Sequence, residues 1–306
     1  MSDIVISVRG LTKTYGDVEA VRGVDLEIRR GEIFAFLGPN GAGKTTTVEI
    51  LEGFRRPTAG EVRVLGAEPA HAGPEWRNRV GAVLQESHAE PGLTVRECLQ
   101  LYAGYYRAPR DIDETIALVE LGAKAETLGD HLSGGQRRRL DVALALIGDP
   151  ELIFLDEPTT GFDPSARRAA WDVVSGLRDL GKTVFLTTHY MEEAEHLADR
   201  IAVIAGGEIV AEGTPQTLGG RDRLAATITF TAPRGVHAAD LPAPLRTLAA
   251  PTSNGTIALR TEAPLRHVRD LADWAAALGA DLPDLDVRRP TLEDVYLALT
   301  DERKGS

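Results

Sequence analysis

The sequence contains a single cysteine, Cys98, among 306 residues, so it can form neither an intramolecular disulfide nor a metal site built from several cysteines. It also lacks a long apolar run, because its longest stretch without a charged residue, 247–259, is interrupted by proline, asparagine and glycine. A membrane-spanning helix needs about 20 apolar residues, so we expect no transmembrane segment. The first residues lack the basic start and apolar core of a secretion signal. Together these absences predict a cytosolic protein.

The sequence also has fewer positively charged than negatively charged residues. Lys and Arg total 34 against 46 Asp and Glu, which gives a formal net charge of -12 at pH 7. Nucleic-acid surfaces use Lys and Arg to displace counterions from phosphates, so this balance predicts no nucleic-acid partner. A content of 43% hydrophobic and 26% charged residues is ordinary for folded proteins and excludes a disordered chain. At about 150 residues per domain, the length predicts two domains.

The hydrophobic pattern indicates the fold class. Residues 4–9 and 24–29 alternate between apolar and polar, as half-buried antiparallel strands do. Three short runs, 32–37, 152–155 and 183–186, are instead apolar on both faces, which is typical of strands buried inside a sheet. Helical patterns lie between these runs. We therefore predict an α/β sheet covered by helices on both faces.

The same pattern predicts the domain organisation. Strand signals stop between about 86 and 140, where the capping-box pair Thr94 and Glu97 precedes apolar residues at helical spacing, so we predict a helical subdomain there. The glycine-rich, polar stretch 213–223 is typical of a linker. Strand and helix patterns beyond it predict a small α+β domain. The predicted domains are 1–222 and 223–306.

Residues 38–45 match the phosphate-binding motif G-x-x-x-x-G-K-[ST], between a buried strand and a helical pattern. Glycines let the loop turn its backbone N–H groups and the helix N-terminus toward phosphates. Lys44 would reach the β- and γ-phosphates, and the Thr45 hydroxyl would bind Mg²⁺. The alternative is an ordinary glycine-rich turn, which seldom carries the whole pattern by chance. The predicted nucleotide-binding residues here are Gly38, Pro39, Asn40, Gly41, Ala42, Gly43, Lys44, Thr45 and Thr46.

Two acids, Asp156 and Glu157, directly follow the second buried run. Ligands of α/β sheets lie at the carboxyl ends of the strands, so this pair is placed for chemistry. We predict that Asp156 holds Mg²⁺, directly or through water, and that Glu157 is the general base that orients and deprotonates the attacking water. Taken alone, such a pair is more often a helix cap or part of a solvated loop.

The sequence LSGGQ at 132–136 precedes a helical pattern. Ser133 and Gln136 have capping-box spacing, so this segment could be no more than a helix start. Two adjacent glycines are unfavourable in a first helical turn unless a group approaches the backbone closely, and we predict that this group is an anion. We interpret the three arginines at 137–139 as a solvated face, with a nucleic-acid patch as the alternative.

In this order, the phosphate-binding loop, LSGGQ and a buried strand ending in Asp-Glu resemble the ATP-binding cassette (ABC) ATPase family. The resemblance covers residues 1 to about 222. It implies a P-loop NTPase fold with a RecA-like core, an N-terminal antiparallel β subdomain and a helical signature subdomain, followed here by the small C-terminal α+β domain. It also implies ATP hydrolysis with Mg²⁺ as cofactor.

Further residues match the family's pattern one by one. The resemblance implies that Tyr15 stacks on adenine, that Gln85 contacts Mg²⁺ and the water, that Asp163 communicates across a dimer, and that His189 contacts the γ-phosphate. Each keeps a structural alternative, because a lone Tyr, Gln or His is more often structural than catalytic. The predicted catalytic residues are then Lys44, Gln85, Glu157 and His189, and the predicted Mg²⁺ ligands are Thr45, Gln85 and Asp156.

The resemblance also implies the partners. In this family two cassettes meet head to tail, so Ser133, Gly134, Gly135 and Gln136 would bind the nucleotide of a second copy. Separate transmembrane permease subunits would complete the transporter. The chain would then be a peripheral protein on the cytoplasmic face of the cell membrane.

A second resemblance lies at 290–300 and 189–195, which are similar to ATPase subunits of drug and antibiotic exporters such as the daunorubicin-resistance type. The plain alternative for 290–300 is a short helix capped by Thr291 with a buried apolar stripe. The resemblance implies export of drugs, antibiotics or other hydrophobic compounds. An importer ATPase subunit, or a soluble ABC-type ATPase acting on DNA or ribosomes, remains the alternative.

Overall fold

The computed structural model describes residues 3–83, 90–233, 235–250 and 255–301. The chain divides between Pro215 and Gln216 into two compact units. This division lies earlier in the sequence than the predicted boundary at 222. Within the described ranges, no helix is both long and apolar enough to cross a membrane.

Two sheets form the first unit. Its strands are β1 (Ile4–Tyr15), β2 (Val18–Arg29), β3 (Ile33–Leu37), β4 (Ala59–Val64), β5 (Val80–Val83), β6 (Leu152–Asp156), β7 (Thr183–Thr188), β8 (Arg200–Ala205) and β9 (Glu208–Gly213). The larger sheet has the order β5-β6-β7-β3-β8-β9, and all its neighbours pair in parallel except β8 and β9. The smaller sheet is antiparallel, with the order β2-β1-β4. The predicted α/β fold with an antiparallel β subdomain is confirmed.

Burial explains why these strands could be recognised. Every residue of β3 and β7 is buried, as are the first four residues of β6, so their sequences carry no polar face. In β2, by contrast, Val24, Leu26 and Ile28 are buried while the residues between them are exposed. That alternation is the period-two pattern of a sheet with one covered face.

Helices cover the larger sheet and fill the interval between β5 and β6. They are α1 (Lys44–Leu51), α2 (Pro74–Arg77), α3 (Val95–Ala103), α4 (Ile112–Leu118), α5 (Gly134–Leu146), α6 (Pro164–Asp179) and α7 (Met191–Leu197). The capping box at the start of α3 is present: the backbone N–H of Glu97 donates to the Thr94 hydroxyl, and the Glu97 carboxylate accepts from the Thr94 N–H. One apolar cluster joins α3, α4 and α5 to the strands below them.

The second unit is a small α+β fold. Its strands are β10 (Ala226–Thr231), β11 (Ala249–Ala250), β12 (Thr256–Thr261) and β13 (Asp286–Arg288), in the antiparallel order β11-β12-β10-β13, and its helices are α8 (Ala243–Arg246), α9 (Pro264–Ala277) and α10 (Leu292–Asp301). Its own core includes Ile228, Phe230, Leu259 and Leu271.

The glycine-rich stretch before β10 is not the free linker that its composition predicts. Residues Leu218–Arg223 form short 3-10 turns separated by a kink at Gly219 and Gly220, and the Leu218 side chain is fully buried. This segment packs against α10, where a Cβ added to Gly219 would lie 2.6 Å from Cγ1 of Val295. Burial of Leu218 therefore makes this stretch part of the second unit.

Candidate active site

The loop between β3 and α1 folds around its own lysine. The Lys44 side chain is buried, and its Nζ donates to the carbonyl oxygens of Gly38 at 2.6 Å and Pro39 at 3.1 Å. Burial lowers the pKa of Lys44, while the nearby carboxylates of Glu157 and Asp156 act in the opposite direction. The ammonium group is thus held inside the loop, with acidic groups close by.

Two glycines of this loop are required by close backbone approaches. A Cβ on Gly38 would lie 2.4 Å from the carbonyl oxygen of Ile204 in β8. A Cβ on Gly43 would lie 2.4 Å from the carbonyl oxygen of Ala20, and Gly43 also has a φ of 104°. That left-handed conformation is disfavoured for residues with a side chain. Sterics inside the chain therefore account for glycine at both positions.

The end of β6 places two carboxylates beside the loop. The Asp156 carboxylate accepts a hydrogen bond from the hydroxyl of Thr187 in the neighbouring strand β7. Glu157 has a φ of 44°, and its backbone N–H donates to both the carbonyl and the hydroxyl oxygen of Thr187, each at 3.1 Å. Left-handed backbone at a non-glycine residue costs about 1–3 kcal/mol and persists where its surroundings hold it. The contacts of Glu157 with Thr187 in β7 therefore hold its backbone in a turn directly after the end of β6.

His189 follows β7 and contacts Glu157. Its Nδ1 lies 3.2 Å from Oε1 of Glu157, and the Thr160 hydroxyl donates to Oε2 of the same carboxylate at 3.1 Å. The imidazole also contacts the ring of Tyr190 in a tilted arrangement, with 4.1 Å between ring centroids and 40° between the ring planes. The orientation of the Glu157 carboxylate is therefore fixed at both of its oxygens.

These groups face a single cleft of about 750 Å³. Among the described residues, its lining consists of Ala20, Asn40, Gly41, Gly43, Lys44, Thr45, Thr46, Asp156, Glu157 and His189. The cleft is more polar than apolar and combines one buried cation, two carboxylates and the start of a helix. Such a set suits a ligand that carries phosphates and a divalent cation.

The donor set of the cleft fits Mg²⁺. The Thr45 hydroxyl and the Asp156 carboxylate both line it, and oxygen is the ligand type that Mg²⁺ takes. In the part of the chain that the structure describes, no cluster of three or more His, Cys, Asp or Glu side chains is placed to hold a metal ion. Mg²⁺ commonly binds with one or two carboxylates, waters and substrate phosphates, so this sparse set is sufficient. Gln85, the third predicted ligand, lies outside the described residues.

Several predicted site residues do not line the cleft: Gly38, Pro39 and Ala42 of the loop, and also Tyr15 and Asp163. The Tyr15 ring is 40% exposed and has the Lys13 ammonium 5.1 Å and the Arg55 guanidinium 5.7 Å from its centroid. Asp163 caps α6, since its Oδ1 accepts from the backbone N–H groups of Ser165 and Ala166. Their contacts with nucleotide and with a second copy stay predictions.

The LSGGQ segment also lies outside the cleft lining, at the N-terminus of α5. Its capping box is complete: Gln136 N–H donates to the Ser133 hydroxyl, and Ser133 N–H donates to the Gln136 side chain. Ser133 and Gly134 are exposed. A Cβ on Gly134 would meet no atom within 4 Å, and one on Gly135 would make only an ordinary contact with Ala166 at 3.6 Å. The chain's own packing therefore does not explain the two glycines, unlike those at 38 and 43.

The interpretation of the three following arginines as a solvated face is wrong for Arg138. Its side chain is buried, and its guanidinium donates from Nη2 to the carbonyl oxygen of Asp156 at 2.7 Å and from Nε to that of Pro158 at 3.2 Å. Burial lowers the pKa of Arg138, while nearby Asp141, Asp156 and Glu193 raise it. Consecutive helical residues point in different directions, so one of three adjacent arginines can face inward.

Sequence reasoning also missed Glu193, a fully buried carboxyl in α7. It accepts hydrogen bonds from the Thr159 hydroxyl at 2.7 Å and from Nε1 of Trp171 in α6 at 3.1 Å. Burial raises the pKa of Glu193, and these hydrogen bonds lower it. The carboxyl thus ties α6 and α7 to the loop that follows Glu157. Its helical spacing from the buried Leu197 is the signal that could have placed it on the inner face.

A second carboxyl, at the C-terminal end of α1, is also perturbed. Burial raises the pKa of Glu52 to about 8, and the negative charges of Asp156 and Glu49 add to that shift. A neutral Glu52 adds no negative charge next to Asp156.

The chain is similar to known proteins along nearly its whole length. The protein family described as "ABC transporter" matches residues 21–160, and the family described as "ABC transporter domain-containing protein-like, C-terminal domain" matches residues 226–291. The daunorubicin resistance ATP-binding protein DrrA3 of Streptomyces coeruleorubidus is 40% identical over 99% of this chain and 98% of its own length. Nod factor export ATP-binding protein I of Ralstonia nicotianae is 40% identical over 97% of this chain and 94% of its own length.

Solved structures are similar over a smaller share of the chain. A dimeric ATP-binding cassette in a post-hydrolysis state, bound to ADP and Pi, matches with 29% identity and a TM-score of 0.61, covering 68% of this chain and 98% of that one. The structure of cbiO1 from Clostridium perfringens, part of the ABC transporter complex cbiONQ, matches with 26% identity and a TM-score of 0.65, covering 70% of this chain and 90% of that one.

Proposed function

The chain belongs to the family of ABC transporter ATP-binding subunits and is an ATPase of that family, and from this premise we propose how its residues act and what it serves. The ATP site is the cleft around Lys44. The observation that carries this assignment is that the Glu157–His189 contact and the lysine loop face one another across that cleft. Phosphates would lie between them.

In this proposal the loop and the start of α1 bind the phosphates. When ATP binds, Lys44 gives up its hydrogen bonds with the Gly38 and Pro39 carbonyls and bonds to the β- and γ-phosphates instead. The negative charge of the phosphates stabilises the buried ammonium group. Thr45 and Asp156 hold Mg²⁺, which supplies positive charge to the phosphates when bound. Gln85 would complete this ligand set. Tyr15 would stack on the adenine once it turns from its present contacts.

Glu157 is the general base for hydrolysis in this proposal. Its carboxylate accepts a proton from water as the water oxygen bonds to the γ-phosphorus and the bond to the β–γ bridging oxygen breaks. His189 and Thr160 already hold the two carboxylate oxygens, which reduces the motion needed to orient the water. With Nδ1 directed at Glu157, the other ring nitrogen of His189 is left to contact the γ-phosphate.

A second copy of the chain completes the site. The exposed N-terminus of α5 offers backbone N–H groups and glycines that internal packing does not require, which suits binding of an anion from outside the chain. Ser133 to Gln136 would therefore bind the γ-phosphate of ATP held by the partner, in a head-to-tail dimer. Asp163, exposed at the start of α6, would lie in the same interface.

The transporter is an exporter in this proposal. Two relatives that match nearly the whole chain are named for daunorubicin resistance and for Nod factor export. We infer that this chain likewise powers export of a drug, an antibiotic or another hydrophobic compound through separate transmembrane subunits. It would then be bound to the cytoplasmic face of the cell membrane through those subunits.

The membrane subunit has a suitable docking place. A groove of about 200 Å³ lies between β5, α3 and α5, and it is lined by Phe54, Val80, Gly81, Ala82, Val83, Tyr102, Tyr106, Asp141, Leu144 and Ala145. Phe54 is 69% exposed, although it is a large apolar residue. Tyr105, two residues after the end of α3, does not line the groove. An apolar groove with aromatic rims suits an amphipathic segment of a partner.

We expect a Phe54→Asp variant to lose co-purification with its membrane subunits from detergent-solubilised membranes of the native host. A charge at this exposed position opposes apolar docking but disturbs no core residue, so ATP affinity and basal hydrolysis should be unchanged. The matched control is Leu265→Asp, which adds the same charge at an 88% exposed leucine of the second unit. Undiminished capture of membrane subunits by Phe54→Asp would contradict docking in this groove, and capture of no membrane subunit by the unaltered chain would contradict the transporter proposal.

The second unit is dispensable for nucleotide binding in this proposal. Among the described residues, the two apolar clusters of the first unit have their last buried member at Ile204, and Ile209 packs against one of them, so a chain ending at Pro215 keeps both clusters. We expect this truncated chain to fold and to bind ATP with unchanged affinity, measured by ATP titration beside the full chain. A chain ending at Gly220 should be less stable in thermal melts, because Leu218 loses the unit that buries it. A folded 1–215 chain that fails to bind ATP would place the second unit within the catalytic unit.

A further inference from the structure

Arg138 holds the main chain on both sides of the proposed base. It lies in α5, two residues after the LSGGQ segment, and the residue is only 8% exposed. Two of its hydrogen bonds end on the carbonyl oxygens of Asp156 and Pro158, the residues before and after Glu157. The Arg138 side chain therefore connects α5 to the backbone that carries the base.

The backbone at that point needs to be held. Glu157 has a φ of 44°, a conformation that costs a residue with a side chain about 1–3 kcal/mol. Thr187 secures the Glu157 N–H, and Arg138 secures the carbonyl groups on either side. Together these contacts set the direction in which the Glu157 carboxylate leaves the chain. A shift of Arg138 would therefore change the position of the base in the cleft.

α5 is a continuous helix that connects the LSGGQ segment to Arg138. Its N-terminus is closed by a complete capping box, and its second half from Leu140 to Leu146 is buried. The Asp141 carboxylate, one turn after Arg138, lies 3.9 Å from Nη1 of Arg138 and helps to orient the guanidinium. A displacement at Ser133 or Gly134 is thus transmitted to Arg138 through fewer than two helical turns.

We propose that Arg138 is a positioning residue that couples the two ATP sites of the dimer. ATP held by the partner binds the N-terminus of α5, α5 carries Arg138 with it, and Arg138 sets the backbone of Glu157 in this chain's own site. This inference rests on the head-to-tail dimer of the proposed function. Each base then reaches its working position when the ATP at the opposite site is in place.

The test is hydrolysis by the full chain as a function of ATP concentration, with Mg²⁺, for Arg138→Lys. Lysine keeps the charge but cannot bond two carbonyl groups in the fixed fork of a guanidinium. We expect kcat to fall about tenfold, the loss typical of a bond to a charged group. The Hill coefficient should fall toward 1, while the ATP affinity of the monomer is unchanged. Asp141→Asn, which leaves the guanidinium in place but frees its rotation, should lower the Hill coefficient with a smaller loss of kcat.

The matched control is Arg139→Lys on the same helix. Arg139 forms an ion pair with Glu120 at 2.8 Å, away from β6, so this variant should keep the kcat and the Hill coefficient of the unaltered chain. Thermal melts of all three variants separate loss of folding from loss of coupling. An Arg138→Lys chain with reduced kcat but an unchanged Hill coefficient would make Arg138 a structural anchor and overturn the inference.

The dimer itself is tested separately with Glu157→Gln and ATP on a size-exclusion column. If that variant dimerises and Arg138→Lys keeps full cooperativity, the coupling role of Arg138 fails while the proposed function stands. If no ATP-dependent dimer forms, the head-to-tail arrangement fails, and the inference fails with it.

Discussion

A Glu157→Gln variant is expected to lose steady-state ATP hydrolysis by roughly 100-fold to 10,000-fold, the range that a general base contributes. The amide keeps the size of the side chain and can still accept the hydrogen bond from Thr160. It cannot take a proton from the attacking water. The lysine loop, Thr45 and Asp156 are untouched, so the affinity for ATP should be retained. Phosphate release and ATP titration measure the two quantities.

The same variant should accumulate a dimer. In the proposed head-to-tail dimer, ATP that is not hydrolysed would keep its γ-phosphate contacts with both copies, so hydrolysis would no longer release the dimer. Size-exclusion chromatography with Mg²⁺ and ATP should show it. Glu192→Gln is the matched control, because Glu192 is an exposed carboxylate two residues beyond Tyr190 and does not line the cleft. Hydrolysis near the normal rate by Glu157→Gln would remove Glu157 from the role of base.

The buried strands of the first unit could be predicted from the sequence because a strand covered on both faces has no polar side. The residues at their ends could be predicted as well, since ligands lie at the carboxyl ends of such strands. The contact between Glu157 and His189 could not. It depends on β6 and β7 being neighbours, with Asp156 opposite Thr187, and a single sequence does not specify the order of strands in a sheet.

Arg138 and Leu218 show a different limit. Each was interpreted from the composition of its neighbours: a run of arginines indicated a solvated face, and a run of glycines indicated a linker. In the structure each side chain is buried, Arg138 against carbonyl groups and Leu218 within the second unit. Local composition describes the average residue of a segment. The one side chain that points inward is decided by tertiary packing, which composition does not contain.

The glycines of the lysine loop and those of LSGGQ also look alike in the sequence but differ in the structure. Gly43 is required by the chain's own backbone, whereas Gly134 faces open space. A substitution at Gly43 therefore tests the architecture of the cleft, and one at Gly134 would test only what approaches from outside. A motif match does not show whether a glycine is required by the chain's own packing or by a group that binds from outside.

A Gly43→Ala variant should lose ATP affinity by roughly 100-fold or more, from the combined cost of a forbidden backbone angle and an overpacked contact. The new Cβ would lie 2.4 Å from the Ala20 carbonyl oxygen, and neither backbone can yield without moving the loop. Because Lys44 is the next residue, displacement of the loop also displaces its ammonium group. ATP titration measures the loss, and circular dichroism checks that the rest of the chain is folded.

Gly31→Ala is the control that separates the effect of the close contact with Ala20 from the effect of the left-handed backbone. Gly31 has a φ of 79°, and a Cβ there would meet no atom within 4 Å. It lies in the turn between β2 and β3, outside the cleft lining. This variant should lose about 1–2 kcal/mol of stability from the left-handed backbone and keep its ATP affinity. If Gly43→Ala bound ATP as well as Gly31→Ala does, the close approach at Ala20 would not set the shape of the loop, and the cleft would have to be built from other contacts.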